Sequence, residues 1–194
     1  MQSRISYDNK ALDTFQEYWD ELSDACRKNS VGADGAGLVP MRRDFNPMKL
    51  HTYLPNIYIT ELLSDDHLLV RLSGTALDEN AGYVLRGTNF LDICQPAERP
   101  LHVKTFKTMT SHPCGVEMTR RVVLTDGRIH QFRSISLPLA DKQGMPRFIV
   151  GITNVAANIA YEAKVDRSDK LRTNVLDFTF IDIGAGKPPM PEGH

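Results

Sequence analysis

RLSGTALDENAGYVLRGTNFLDI, residues 71–93, carries three glycines, Gly74, Gly82 and Gly87, between a strand-like beginning and a run too short for one long helix. A glycine-rich turn after a strand can cradle a phosphate, so nucleotide binding is the first reading to test. A dinucleotide fingerprint needs closely spaced glycines between a strand and one long helix of a βαβ unit. Here the glycines lie eight and five residues apart, and no parallel crossover follows. GAGKPP at 184–189 also fails as a phosphate loop, because Pro188 stands where a hydroxyl would hold magnesium. The glycines read instead as places where the backbone turns sharply and needs positive φ.

The flanking segments place this stretch. NIYITELL at 56–63 and HLLVRLSG at 67–74 are strands joined by the polar turn SDD. Ahead of them, Asn46-Pro47 opens a short helix or turn, since Asn caps and Pro suits the first helical position. Short helical pieces fill 75–93, and a fuller helix covers about 97–110, with Pro100 near its start. GVEMTRRVVLT at 115–125 and RIHQFRSISLPL at 128–139 flank Asp126-Gly127, a strong hairpin signal. RFIVGITNV at 147–155 follows the polar turn ADKQGMP. The count is two strands, several short helices, one longer helix and three strands, an α+β arrangement.

Outside that body, Leu12, Phe15, Trp19, Leu22 and Cys26 recur at spacings of three and four, predicting an amphipathic helix over 11–28. Its apolar stripe must be buried on the same domain or on a second copy. After 155 the chain changes character. ANIAYEAKVDRSDKLR suits a helical extension, VLDFTFIDI at 175–183 alternates like a strand, and GAGKPPMPEGH is a loose end. An uncovered apolar strand at 175–183 would be an exposed pairing edge.

Composition narrows the function. Of 194 residues, 41% are hydrophobic and 24% charged, as in ordinary globular proteins. Lys plus Arg number 23 against 24 Asp plus Glu, a net charge of −1 that supplies no general attraction to nucleic acid. No segment reaches the roughly 20 apolar residues of a membrane-spanning helix, and MQSRISYDNKALDTF lacks a signal-peptide core. Cys26, Cys94 and Cys114 are odd in number and widely spaced, which suggests neither a disulfide framework nor a metal motif. A cytoplasmic location is the simplest expectation.

Three stretches in order, MRRDFNPMKLHTYLPNIYITEL, VRLSGTALDENAGYVLRGTNFLDI and ISLPLADKQGMPRFIVGI, resemble the single-domain PAS family common in alphaproteobacteria. The resemblance covers roughly 38–155. It divides the chain into an N-terminal helix and linker (1–37), a PAS domain (38–155) and a C-terminal extension (156–194). It implies a five-stranded antiparallel sheet, order 2-1-5-4-3, with short helices over one face. The other face would be covered by the N-terminal helix, by a partner subunit, or by both. The function implied is non-enzymatic: a sensor or adaptor of bacterial signal transduction, working through homodimerisation and contacts with a signalling protein. Phe15, Trp19 and Leu22 are the expected dimer contacts. The fold also implies a site between sheet and helices for a small apolar ligand. Its lining would come from Tyr83, Leu85 and Phe90 on the helical side and Met118, Val122, Phe132, Ser134, Ile135 and Ile152 on the strands. The alternative is a carrier of lipid-like or apolar molecules, or a core filled outright by the same residues.

Cofactor chemistry finds little footing in these residues. Light-sensing PAS domains carry a cysteine just after a Gly-x-Asn turn, but Phe90 follows Gly87-Thr88-Asn89 here and Cys94 lies four residues further on. Flavin adduct formation is therefore rejected, and Cys94 reads as a small buried or half-buried side chain. Haem-binding relatives place an axial histidine on the long helix, where His102 lies; a lone histidine there reads by default as a surface or capping residue. His112 has no second metal ligand at a suitable spacing. Ser73-Gly74-Thr75 lacks a nucleophile-elbow pattern. No Asp and Tyr pair stands out for isomerase chemistry on a curved sheet. Asp65-Asp66 and Asp78-Glu79 read as solvating or capping acids, and Arg42-Arg43 and Arg120-Arg121 as solvated pairs with anion contact the minority reading.

Overall fold

A computed structural model of the chain describes residues 9–29, 38–123, 129–155 and 172–189. Its elements are helix α1 (Lys10–Asn29), a 3₁₀ segment at Pro47–Asn56, strands β1 (Ile57–Ser64) and β2 (His67–Ser73), and helix α2 (Thr75–Ala81). Two short 3₁₀ turns lead into helix α3 (Arg99–Ser111), followed by β3 (Gly115–Val123), β4 (Ile129–Ala140), β5 (Pro146–Val155) and β6 (Arg172–Ile181). The strands form one antiparallel sheet in the order β2-β1-β5-β4-β3-β6. Five strands stand as expected; the sixth is an addition. Expected at 175–183, it runs instead over Arg172–Ile181, pairs along β3 from Gly115↔Ile181 to Val123↔Arg172, and covers that edge. The Asp126-Gly127 turn and all but the last residue of the expected helical extension at 157–172 lie outside the described residues; Arg172 opens β6.

The sheet is buried on both faces. Against one face, α1 lays Leu12, Phe15 and Trp19 onto Ile57, Ile59, Ile135, Leu137, Leu139, Val150 and Ile152. The spacing of three and four puts these helix residues on one stripe, and Phe15 and Trp19 are completely buried. The Trp19 indole Nε1 donates to the Pro138 carbonyl at 3.0 Å, so the ring's one polar group is satisfied in the core. Each such side chain contributes about 1.5–3 kcal/mol through burial. The stripe expected to meet a second copy is thus spent on the chain's own sheet. Phe15 and Trp19 have no surface left for a dimer contact, and Leu22 is half-buried at the margin of the same cluster.

Asn46 caps the 3₁₀ segment as expected, its side-chain oxygen accepting from Met48 N at 3.1 Å. Its own N–H donates to the Tyr18 hydroxyl at 2.8 Å, tying this segment to α1.

The second face carries α2, α3 and the 82–93 connection. Leu68, Leu91, Leu101, Phe106, Met109, Val116, Met118 and Ile149 form its main cluster, to which β6 adds Phe178 and Phe180. The opening glycines divide the work there. Gly82 closes α2 in the left-handed conformation at φ 78°, and Gly87 turns at φ 89°. Gly74 differs from expectation: its φ is −73°, and it is needed because any Cβ would sit 2.3 Å from the Pro55 carbonyl oxygen.

The segment after β6 is held rather than loose up to Gly186. Asp182 Oδ1 accepts from the N–H groups of Gly184 and Gly186, and His112 Nε2 lies 3.0 Å from the Gly186 carbonyl.

Candidate ligand cavity

Between the sheet and the α2 side of the cap lies a cavity of about 90 Å³. Strand alternation decides what reaches it. On β4, Phe132 and Ser134 point inward and Ile135 points to α1; on β5, Thr153 points inward and Ile152 to α1. Gly151, opposite Tyr58, leaves room for that ring: a Cβ there would lie 2.3 Å from it. The Tyr58 hydroxyl can then meet Ser136 Oγ at 2.7 Å. From the cap come Leu77 and Asn80 of α2, with Leu85, Phe90 and Ile93 from the following connection.

Of the nine residues expected to form a pocket, Leu85, Phe90, Val122, Phe132 and Ser134 line this cavity. Met118 borders a neighbouring void of about 10 Å³, which shares Tyr58, Thr60, Phe90 and Arg120 with the larger one. Tyr83 packs beside the lining with Ala81, Ile93, Val122 and Phe132, where burial and the Asp92 charge push its hydroxyl above the usual range. Ile135 and Ile152 are corrections. They pair with each other across β4 and β5 and face the opposite core. The lining residues not anticipated are the apolar Val70, Leu77 and Ile93 and the polar Tyr58, Thr60, Ser73, Asn80, Arg120 and Thr153. Counting by twos from Phe132 and Ser134 separates Ile135 at once, and counting by twos from Val122 brings in Arg120.

Arg120 is the least expected. Arg121 faces solvent as the solvated reading required, but Arg120 turns inward and its guanidinium carbon sits 5.4 Å from the centroid of the Phe90 ring. Its Nε donates to Met118 Sδ at 2.9 Å, a weak acceptor. It is the sole charged side chain lining the cavity among the described residues.

His102 is also corrected. It is neither exposed nor capping: it is 1% exposed on α3, edge-on to Phe90 at 5.3 Å between ring centroids. Burial, helped by the Arg120 charge, lowers its pKa to about 3, so the ring is neutral at physiological pH. Its Nε2, with Thr60 Oγ1, Ser73 Oγ and Thr105 Oγ1, is a buried polar atom without a hydrogen-bond partner among the described residues. The void of about 10 Å³ beside it has no room for a porphyrin.

The thiols stand apart from this lining. Cys94 is buried as expected, its Sγ donating to the Phe90 carbonyl at 3.4 Å. Burial pushes the Cys114 thiol up to about 12, which keeps it protonated and unreactive near neutrality. Among the described residues no three His, Cys, Asp or Glu side chains are grouped to hold a metal ion.

The acids have specific partners. Asp78 is not an N-cap; its carboxylate accepts from Leu85 N at 3.0 Å and fixes the connection over the cavity. Asp65 pairs with Lys107 on α3. Glu61, its side chain 8% exposed, binds Arg71 and Arg147, so Arg71 belongs to a structural ion network. Arg42 carries no ion pair among the described residues, and partial burial lowers its pKa.

Among the described residues no helix is long and apolar enough to cross a membrane. No curated protein matches the chain. Among solved structures it is similar to the light state of the Aureochrome1 LOV photoreceptor, at 18% identity and a TM-score of 0.43, covering 56% of this chain and 87% of that one. It is also similar to a Drosophila melanogaster Cycle PAS-B variant with bound glycerol, at 12% identity and a TM-score of 0.41, covering 52% and 98%. VqmA bound to DPO matches at 15% identity and a TM-score of 0.45, over 58% of this chain and 57% of that one. The PAS domain family profile matches residues 7–154, about three-quarters of the chain, from α1 through β5. On that match the chain belongs to the PAS domain family of signalling sensors.

Proposed function

We propose that this chain is a non-enzymatic, cytoplasmic sensor of bacterial signal transduction, gated by a small molecule held between the sheet and the α2–α3 cap. The observation that carries this reading is the set of buried polar atoms around an otherwise apolar cavity. Thr60 Oγ1 and Ser73 Oγ are buried without partners beside Val70, Leu77, Leu85 and Val122. An unsatisfied buried hydroxyl costs about 1–3 kcal/mol, and a ligand that bonds it recovers that cost. Apolar walls with a few convergent polar groups are the usual make-up of a small-molecule site. The output is a protein contact: a homodimer that docks on a signalling partner through a surface other than the buried α1 stripe.

The size of the cavity favours this over a lipid carrier. A cavity of about 150 Å³ seats benzene; a space of about 90 Å³ is too small to enclose an acyl chain of lipid length. The described lining also offers neither carboxylate nor thiol for acid–base or nucleophilic chemistry, which favours binding over catalysis.

Native mass spectrometry of freshly purified protein, paired with thermal melting in a panel of small metabolites, tests the reading. The expected result is a dimer mass and a melting temperature raised by at least one compound of a few heavy atoms. A monomer whose melting responds to none of them would overturn it.

A further inference from the structure

We propose that the cavity's ligand is a short-chain monocarboxylate, its carboxylate seated on the Arg120 guanidinium and its hydrocarbon end against Val122 and Phe132. This rests on the reading of the cavity as a ligand pocket and specifies its chemistry. An arginine stays charged at every physiological pH, and a charge among apolar side chains is costly without a counter-ion. Arg120 makes no ion pair among the described residues; it has the Phe90 ring and the Met118 sulfur. Its neighbour His102 is neutral and adds no second positive charge. One cation calls for one negative charge.

The shape of the guanidinium selects the anion. Two parallel N–H groups match the two oxygens of a carboxylate. Thr60 is 2% exposed and its hydroxyl is unpartnered, so it can donate to the same group. Val70, Leu77, Leu85, Val122 and Phe132 form the apolar part of the wall and suit hydrocarbon, while the other polar lining residues, Ser73 and Asn80 among them, are uncharged. Scaling from the benzene-sized cavity gives room for about four heavy atoms, the size of acetate, with propionate as a close fit.

Isothermal titration calorimetry with sodium acetate, propionate and butyrate, against propionamide and 1-propanol, tests the assignment. Propionate should bind saturably, and propionamide about tenfold or more weaker, the usual ratio for a charge-assisted hydrogen bond. Arg120→Gln should lose about tenfold or more of the propionate affinity while leaving the weak propionamide binding in place. Arg120→Lys should fall between the two, because charge is kept and the fork is lost. Val122→Phe, which fills the cavity, should abolish binding of acid and amide alike. Melting curves of each variant establish that it is folded; if Arg120→Gln does not fold, the acid-to-amide ratio of the native protein decides. Equal binding of propionate and propionamide, or propionate binding unchanged in a folded Arg120→Gln, overturns the carboxylate and leaves the pocket standing. Propionate binding that survives Val122→Phe places the site elsewhere and overturns the assignment. Absence of binding by every probe overturns the carboxylate and counts against the pocket itself.

Discussion

Under α1, the residues that β4 and β5 turn toward the helix are Ile135, Leu137, Leu139, Val150 and Ile152, all aliphatic and nearly or wholly buried. The residues one step away on the same strands, turned toward the cap, include Ser134, Ser136 and Thr153, and β1 adds Tyr58 and Thr60. A single sheet therefore has a dry face and a face rich in hydroxyls. The dry face satisfies its one large polar group, the Trp19 indole, within the core. The other leaves several unsatisfied around two voids. The contrast separates what holds the fold from what is open to a ligand: stability is concentrated where α1 meets the sheet, and unpaired polar chemistry where the cap does.

The largest effect should come from the dry face. Trp19→Ala removes a completely buried ring and its hydrogen bond, and should cost about 3–5 kcal/mol. Urea unfolding measures it, and a loss below about 1 kcal/mol would mean that α1 is not part of this core.

A smaller effect on the cap face depends on pH. The folded-state pKa of His102 is about 3, below the unfolded value of about 6.5. Above pH 6.5 the ring is neutral in both states and its contribution is fully present. As pH falls below that value the unfolded chain takes up a proton that the folded one refuses. Stability then drops by about 1.4 kcal/mol per pH unit until the folded ring also titrates near 3. Denaturation of the native protein and of His102→Gln between about pH 5.5 and pH 4 should differ in slope by about that amount; parallel slopes would place the ring in contact with water.

The smallest effect has the opposite sign. Thr60→Val replaces an unpartnered buried hydroxyl by a methyl of similar volume, and should raise stability by about 1 kcal/mol. The same face would then tolerate, or gain from, a loss of polarity. A clear loss in chemical denaturation would show that the hydroxyl already has a partner, and the two faces would be less different than described.

The same contrast explains what could be read from the residues alone. The α1 stripe, the β1–β2 hairpin, the Asn46 cap and the order of the first five strands were legible because each rests on local spacing or on a resemblance spanning the domain. Side-chain parity on the inner strands was not. SISLPL at 134–139 alternates Ser134 and Ser136 with Ile135, Leu137 and Leu139, but a sheet covered on both faces has no solvent side against which to read that alternation, so it does not say whether Ser134 or Ile135 faces the cap. The inward turn of Arg120 was hidden for a related reason: an Arg pair on a strand looks solvated until the strand's faces are known. The docking of β6 on β3 depends on a distant edge, which local spacing in 175–183 cannot reveal. His102 looked peripheral because nothing in RPLHVKTF marks which side of α3 meets the sheet.

Strand β6 and the residues after it bear on the timing of assembly. Glu98, just before α3, accepts from Asn174 Nδ2 and from Val175 N, and His112, just after it, meets the Gly186 carbonyl. The helix that borders the smaller void is thus clasped at both ends by the latest described part of the chain. Trp19, in the earliest, waits for Pro138. A ribosome making this protein emits α1 long before its seat exists, and emits the clasp after the other described elements. Among the described elements, residues 172–186 are thus the last to be made, and what they complete is the support of the helix beside the smaller void.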